Sequence, residues 1–295
     1  MGKIYQKYIS DFVCIAGSCP DTCCSGWQIY IDEKTGREYL KDYGEVGKIA
    51  RECMRGKPCS YHLALKNKRC PYLTEENLCK VIIEKGENAL SEVCSMHPRF
   101  IHSLYEDQYS FLSLSCPKST QMFLSALKNG GVEYVLENLE NPYLSQFYDT
   151  VCEILGQFNA KLARFSDFDG ANFSYGVADM FKNMEYLEKQ TQESLSAFSL
   201  DLIDKKYFSS PALFNELFKY FALCLYDEKS PVLAVSFVFS LAVLYLCSIW
   251  ENEEKSIYKF TKETEHSAKN IKYAIRILRS PKAQKTFPDF LAEIF

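Results

Sequence analysis

The chain has no G-x-G anywhere in its 295 residues, which excludes the glycine turn that lets a Rossmann backbone approach a pyrophosphate or adenosyl group. Also missing are GxxxxGK[ST], H-E-x-x-H and G-x-S-x-G, so the P-loop, zincin and nucleophile-elbow chemistries have no carrier. Histidine is scarce, with four residues in all. No long basic stripe with interleaved aromatics occurs, and the net charge of −4 argues against a general nucleic-acid binder. The one basic concentration, Lys255 to Lys285, spaces Lys269, Lys272, Arg276 and Arg279 between Ile271, Ile275 and Leu278, which predicts the solvated face of an amphipathic helix. The opening MGKIYQKYISDF has neither an apolar h-region nor a small-residue cleavage site, so the expected location is the cytoplasm.

Cysteine, by contrast, is abundant. Thirteen are present, and four of them fall between Cys14 and Cys24 in FVCIAGSCPDTCCSGW. Cys70, Cys79, Cys94 and Cys116 complete a set of eight. An odd number of thiols in a reducing compartment disfavours a disulfide framework, and thiolates this dense suit a soft metal centre. Spacing alone leaves zinc and an iron–sulfur cluster both open, as one site or two. Adjacent Cys23 and Cys24 point in different directions and are poorly placed to close one small tetrahedral site together. The C-x-x-x-C-x-x-C triad of radical enzymes is absent, because position 26 is glycine. Cys53 and Cys59 flank a turn-like MRGKP and are expected at the surface, whereas Cys152, Cys224 and Cys247 sit in apolar helical patterns and are expected in the core.

Along the chain, WQIYID predicts a strand and 33–54 a helix. Thr74 reads as the N-cap of a short helix carrying Cys79, with Gly86 as its stop, and ENALSEVC as a further turn or two that ends at Cys94. Residues 100–115 alternate around a polar centre, as a β-hairpin does, and lead into Cys116. Ser115 or Cys116 then caps a helix with Pro117 in its first turn and Gly130 and Gly131 at its end. Beyond Asn141, apolar-periodic runs at 143–165, 177–200, 211–227, 232–250 and 257–280 predict an all-helical half, with 166–176 as a loop. The run PVLAVSFVFSLAVLYLCSIW, 231–250, has no charged residue and approaches bilayer-spanning length, but its serines fit a buried core helix and no stable membrane insertion is expected. The fold class is therefore mainly α, with a cysteine-rich metal-binding region of short strands over 1–120 and a helical domain over 121–295.

FVCIAGSCPDTCCSGWQIYID, RCPYL, NLCKVI, ALSEVCSMHPR and SLSCPKS, in this order, resemble the flagellin lysine N-methylase family of bacteria, and the first three blocks also resemble the wider class of zinc- or iron-chelating cysteine-cluster domains. FTKETEHSAKNI resembles a C-terminal block of the family ending in a histidine, here His266. The resemblance implies S-adenosylmethionine as methyl donor, a flagellin-type lysine amine as acceptor and a four-iron four-sulfur cluster, with zinc the alternative metal. It sets Cys14, Cys19, Cys23, Cys24, Cys70, Cys79, Cys94 and Cys116 on the motif cysteines, and Trp27, Pro71, Pro98 and Arg99 on the other recurrent positions. His97 stands where the family is usually aromatic. Arg99 is the candidate cofactor-binding residue, read as a partner for a buried anion since guanidinium pairs bidentately with a carboxylate, the alternative being a salt bridge to Asp or Glu within the fold. The competing expectation is a non-catalytic zinc- or iron-chelating protein whose helices dock a partner.

Overall fold

The computed structural model describes residues 2–104, 107–138, 142–162, 171–225 and 232–280. In chain order its elements are β1 (Lys3–Gln6), β2 (Tyr30–Ile31), α1 (Glu33–Lys41), α2 (Glu45–Cys53), β3 (Met54–Arg55), β4 (Tyr61–Leu63), α3 (Lys80–Lys85), α4 (Glu92–Met96), β5 (Arg99–Leu104), β6 (Asp107–Leu112), α5 (Pro117–Lys128) and β7 (Tyr134–Glu137). Helices follow: α6 (Pro142–Leu162), α7 (Ala171–Lys182), α8 (Lys189–Ser196), α9 (Lys206–Ser209), α10 (Ala212–Cys224), α11 (Val232–Trp250), α12 (Glu253–Glu265) and α13 (Ala268–Leu278). The chain is mainly helical with some strands.

Two sheets are present. The larger has the order β5-β6-β1-β7, with β1 parallel to β6 and antiparallel to β7. The hairpin β5–β6 pairs Arg99 with Leu112 and Leu104 with Asp107, as the alternation predicts. The smaller sheet is β2-β4-β3, antiparallel throughout. Strands β1 and β7 carry too few residues to alternate visibly, and β1 is fixed from far along the chain: Gln6 accepts from the Leu112 amide at 2.9 Å and Asp107 from the Gly2 amide at 2.8 Å.

Each sheet belongs to its own apolar core. Ile4, Tyr109, Phe111 and Leu114 join Phe123 and the helices of the second half in the larger one. Its centre is a set of rings meeting edge to face, with Phe239 against Phe260 at 5.3 Å and Phe221 against Phe239 at 5.6 Å, the arrangement the ring quadrupole favours. The smaller core gathers Ile29, Ile31, Tyr39, Val46, Ile49, Leu63, Tyr72 and Val81.

Helix α11 is long and apolar enough to cross a membrane, and 83% of its apolar window is buried. It packs between α10 and α12, as expected of a core helix. Its serines need no outside partner: Ser236 donates to the Val232 carbonyl and Ser240 to the Ser236 carbonyl, each at 2.7 Å.

Several expected elements are divided. The helix over 33–54 is two, because Asp42 accepts from the amides of Gly44 and Gly47 and turns the chain between them. Gly47 is required there, since a Cβ would lie 1.8 Å from the Asp42 carbonyl oxygen. The run 257–280 is also two helices, since Ser267 caps α13 by accepting from the Asn270 amide. The run 177–200 breaks after Lys182, and the expected loop 166–176 is helical from Ala171 onward, its first five positions lying outside the described residues. Of WQIYID only Tyr30 and Ile31 pair as strand. Thr74 caps no helix: its hydroxyl accepts from Leu78 within a turn that has Asn77 at positive φ, and the helix begins at Lys80 with Cys79 as its N-cap. Cys94 falls inside α4 rather than at its end.

Candidate functional site

The cysteine loop runs from Cys14 to Gly26 and is fastened at its C-terminal end. Gly26 donates to the Lys68 carbonyl and Cys70 to the Cys24 carbonyl, at 2.9 and 2.8 Å, so the loop lies antiparallel to the 68–70 segment. At its centre Asp21 ion-pairs with Lys262 at 2.7 Å and Lys259 at 3.1 Å, both from α12 and both nearly excluded from water. Lys262 also donates to the Thr22 carbonyl and lies 5.3 Å from the ring centre of Trp27. Desolvated charges of this kind hold only when paired, so the Asp21 cluster anchors the loop on the helical half.

The eight motif thiols separate into neighbourhoods. Cys24, Cys70, Cys79 and Cys94 all border the smaller core. Burial pushes the thiols of Cys70 and Cys79 up and that of Cys94 to about 11, and the Cys24 sulfur beside them adds to each rise. Cys24 is the exception, brought down to about 7 by its contact with Cys23 and by Thr22, Arg69 and Lys262. Cys116 packs elsewhere, with Phe12 and Leu112, as the N-cap of α5. Cys14 is exposed, and Cys19 donates to the Asp21 carbonyl, with burial pushing its thiol up to about 11. Cys23 lies 4.0 Å from Cys24, sulfur to sulfur, and is exposed. Among the described residues no three His, Cys, Asp or Glu side chains converge on one point as a coordination shell. The chemistry of the donors does fit a metal: four like, soft ligands sit around one small core, and a bound cation would supply the positive charge that their thiolates need.

Outside this set, two expectations change. Cys53 is buried, not at the surface, because it continues the apolar face of Val46, Ile49 and Ala50 on α2, while Cys59 is exposed as expected. Cys152 is exposed and Cys224 half-buried, so of the three expected core thiols only Cys247 is fully buried.

Arg99 opens β5. Its guanidinium donates to the Phe12 carbonyl at 3.1 Å and stands 5.1 Å from the Phe12 ring centre, at the root of the cysteine loop. It has no carboxylate partner among the described residues, and it lines an open cleft of about 320 Å³ with Lys3, Tyr5, Met96, Ile101 and Glu137. Phe100, next along the strand, projects the other way, 6.0 Å from the ring of His266.

His266 lies at the centre of an aromatic group. It stacks on Trp27 at 4.0 Å, and His97 is 6.1 Å away. Burial and the nearby Lys262 hold His266 down to about 4, and burial holds His97 down to about 3, so both rings are neutral near pH 7. Beneath them runs a polar chain: Ser115 Oγ is 2.8 Å from His266 Nε2 and 2.6 Å from Ser113 Oγ, and Ser113 donates to Glu265. Tyr220 accepts from the Leu114 amide and donates to the other Glu265 oxygen. Burial pushes the Glu265 carboxyl up to about 7. Of these groups the sequence marks only Trp27, His97 and His266. Ser113, Ser115, Lys262 and Asp21 lie inside the motif blocks without a site role assigned to them there, and Tyr220 lies outside every block.

Four of the motif thiols thus border one small core beside an aromatic site clamped by the Asp21 ion pairs, with the larger helical core behind it. No family model and no solved structure matches the chain. It is 35% identical over 126 residues to the flagellar biosynthetic protein FliU of Salmonella muenchen, covering 40% of this chain and 74% of that protein. It is 35% and 34% identical to the lysine-N-methylases of Salmonella choleraesuis and Salmonella typhimurium, over 40% of this chain, and it spans only 31% of the length of each. The chain belongs to the flagellin lysine N-methylase family, a family of protein-lysine methyltransferases.

Proposed function

We propose that this chain is an S-adenosylmethionine-dependent protein lysine N-methyltransferase acting on a flagellin-type substrate, with a thiolate-held four-iron four-sulfur cluster. The observation that carries the activity is the likeness to lysine-N-methylases, in a chain that covers about three-quarters of FliU. Cys24, Cys70, Cys79 and Cys94 would hold the cluster, with Cys14, Cys19, Cys23 and Cys116 as the remaining candidate ligands. A cluster bound there would offset the thiolate charges with its cationic iron–sulfide core and tie together the loops that present these cysteines.

Methyl transfer forms a bond from the lysine nitrogen to carbon as the donor's sulfonium–carbon bond breaks, and the nitrogen must be neutral to offer its electron pair. The site's rings and neutral imidazoles surround an amine with apolar faces and disfavour its charged form. Arg99, which has no carboxylate partner among the described residues, would pair with the donor's carboxylate at the cleft.

Calorimetry on anaerobically purified, metal-loaded protein is expected to detect S-adenosylmethionine binding. Arg99→Ala is expected to weaken it by about 10- to 100-fold, the range for losing a hydrogen bond to a charged group. Equal donor affinity in wild type and R99A would remove Arg99 from the site. No binding to either would favour the metal-binding module that docks a partner.

A further inference from the structure

We propose that His266 is the base that takes the proton from the substrate lysine, and that Ser115, Ser113 and Glu265 form the relay that carries this proton into the protein. The proposal rests on the methyltransferase reading above and adds to it the catalytic residue that neither the motifs nor the relatives' names supply.

A lysine amine is ordinarily protonated up to about pH 10, so an enzyme that methylates it near neutrality needs an acceptor for one proton. The described residues offer two imidazoles beside Trp27. His97 makes no side-chain hydrogen bond among the described residues, so they give it nowhere to pass a proton. His266 is bonded at Nε2 to Ser115, and no hydrogen bond is made at its Nδ1 among the described residues. With Nε2 carrying the hydrogen, Ser115 accepts from the ring and donates to Ser113, and Ser113 donates to the Glu265 carboxylate. The whole chain is then aligned in one direction. Trp27 fixes the plane of the ring by stacking on it.

The proton moves as follows. The nitrogen–hydrogen bond of the ammonium breaks as Nδ1–H forms, Nε2 gives its proton to Ser115, Ser115 gives its own to Ser113, and Ser113 gives its own to Glu265. One proton has passed from lysine to Glu265, and the imidazole is left neutral with its hydrogen on the other nitrogen. An imidazolium is avoided throughout, as it must be beside the Lys262 ammonium and in a site that already disfavours charge. Glu265 suits the end of the chain because it is half-buried and held by two hydroxyls. The groups facing it are Ser113, Tyr220 and the Cys224 thiol; those facing His266 are Trp27, His97, Phe100 and Lys262, whose charge Asp21 balances.

Two measurements test this on the intact, metal-loaded chain. In nitrogen-15 spectra of labelled histidine, the His266 ring is expected to stay neutral while its signals step as Glu265 titrates near pH 7. Glu265→Gln and Ser113→Ala should each abolish the step. In methyl transfer from labelled S-adenosylmethionine to Salmonella flagellin, wild type should speed up as pH rises through about 7, when Glu265 becomes free to accept. E265Q and His266→Gln should be slower by about 100-fold or more at neutral pH, lose that limb, and recover as pH approaches the lysine's own pKa near ~10. A step that persists in E265Q, or an E265Q pH profile like that of wild type, overturns the relay and leaves the enzyme reading intact. A wild type that transfers no methyl group while the spectral step is present overturns the enzyme reading, and the catalytic use of the relay with it.

Discussion

Lysine in place of Leu241 leaves little or no folded protein. Leu241 is fully buried at the middle of α11, between α10 and α12 in the larger core, and its neighbours there are Ala242, Val243 and Phe239, all buried as well. An ammonium without a partner at such a depth costs several kcal/mol, against a total stability of about 5 to 15 kcal/mol for a whole domain. Leu241→Met conserves volume and is expected to cost less than about 1.5 kcal/mol. Urea unfolding of the two variants separates these outcomes. A Leu241→Lys protein that is folded and close to wild type in stability would mean that α11 is not the core helix described above.

Serine at Cys24, Cys70, Cys79 or Cys94 should remove most of the bound metal and lower soluble yield together. Ligation by thiolates is coupled to folding of the loops that present them, and a serine hydroxyl is a poor replacement for a soft ligand. Serine at exposed Cys59 should do neither. Cys53 separates the two effects: buried on the apolar face of α2, it should cost stability as serine while leaving the metal-to-protein ratio unchanged. Iron and acid-labile sulfide analysis of anaerobic preparations reads this directly. Zinc alone after iron reconstitution would contradict the cluster, and equal metal loss in the Cys59 and Cys70 variants would contradict the division of the thiols.

Features set by neighbouring residues are legible in the sequence. The β5–β6 pairing follows from alternation on either side of a polar centre, and α5 is marked at both ends by Pro117 and by Gly130 and Gly131, which adopt positive φ. The solvated face of α13 is legible too, with Lys269, Lys272, Arg276 and Arg279 all exposed. Where local signals compete, the reading slips. Thr74, Glu75 and Glu76 imitate a helix start, but the Thr74 hydroxyl closes a turn on Leu78 instead. The apolar period continues through His266 and Ser267, which hides the Ser267 cap and the end of α12. Buried Cys53 was visible as the continuation of Val46, Ile49 and Ala50, at helical spacing.

The site is legible only in part, because its parts come from distant segments. Density of cysteine marks the candidate ligands, but only folding sorts Cys24, Cys70, Cys79 and Cys94 from Cys116, which packs with Phe12. The hydrogen-bonded network around Glu265 joins residues 113–115, 220 and 265–266, and the Asp21 anchor spans more of the chain still. No spacing rule connects such positions. Burial of carboxylate and ammonium becomes visible only once α12 is laid against the loop.

The most direct measurement is mass spectrometry of Salmonella flagellin incubated with the anaerobically purified, iron-loaded chain and isotope-labelled S-adenosylmethionine. A labelled methyl group on lysine side chains, absent without the chain and sharply reduced with the Cys70→Ser protein, is the expected result. Flagellin recovered without label on any lysine, from protein shown to carry its metal and to bind the donor, would contradict the account.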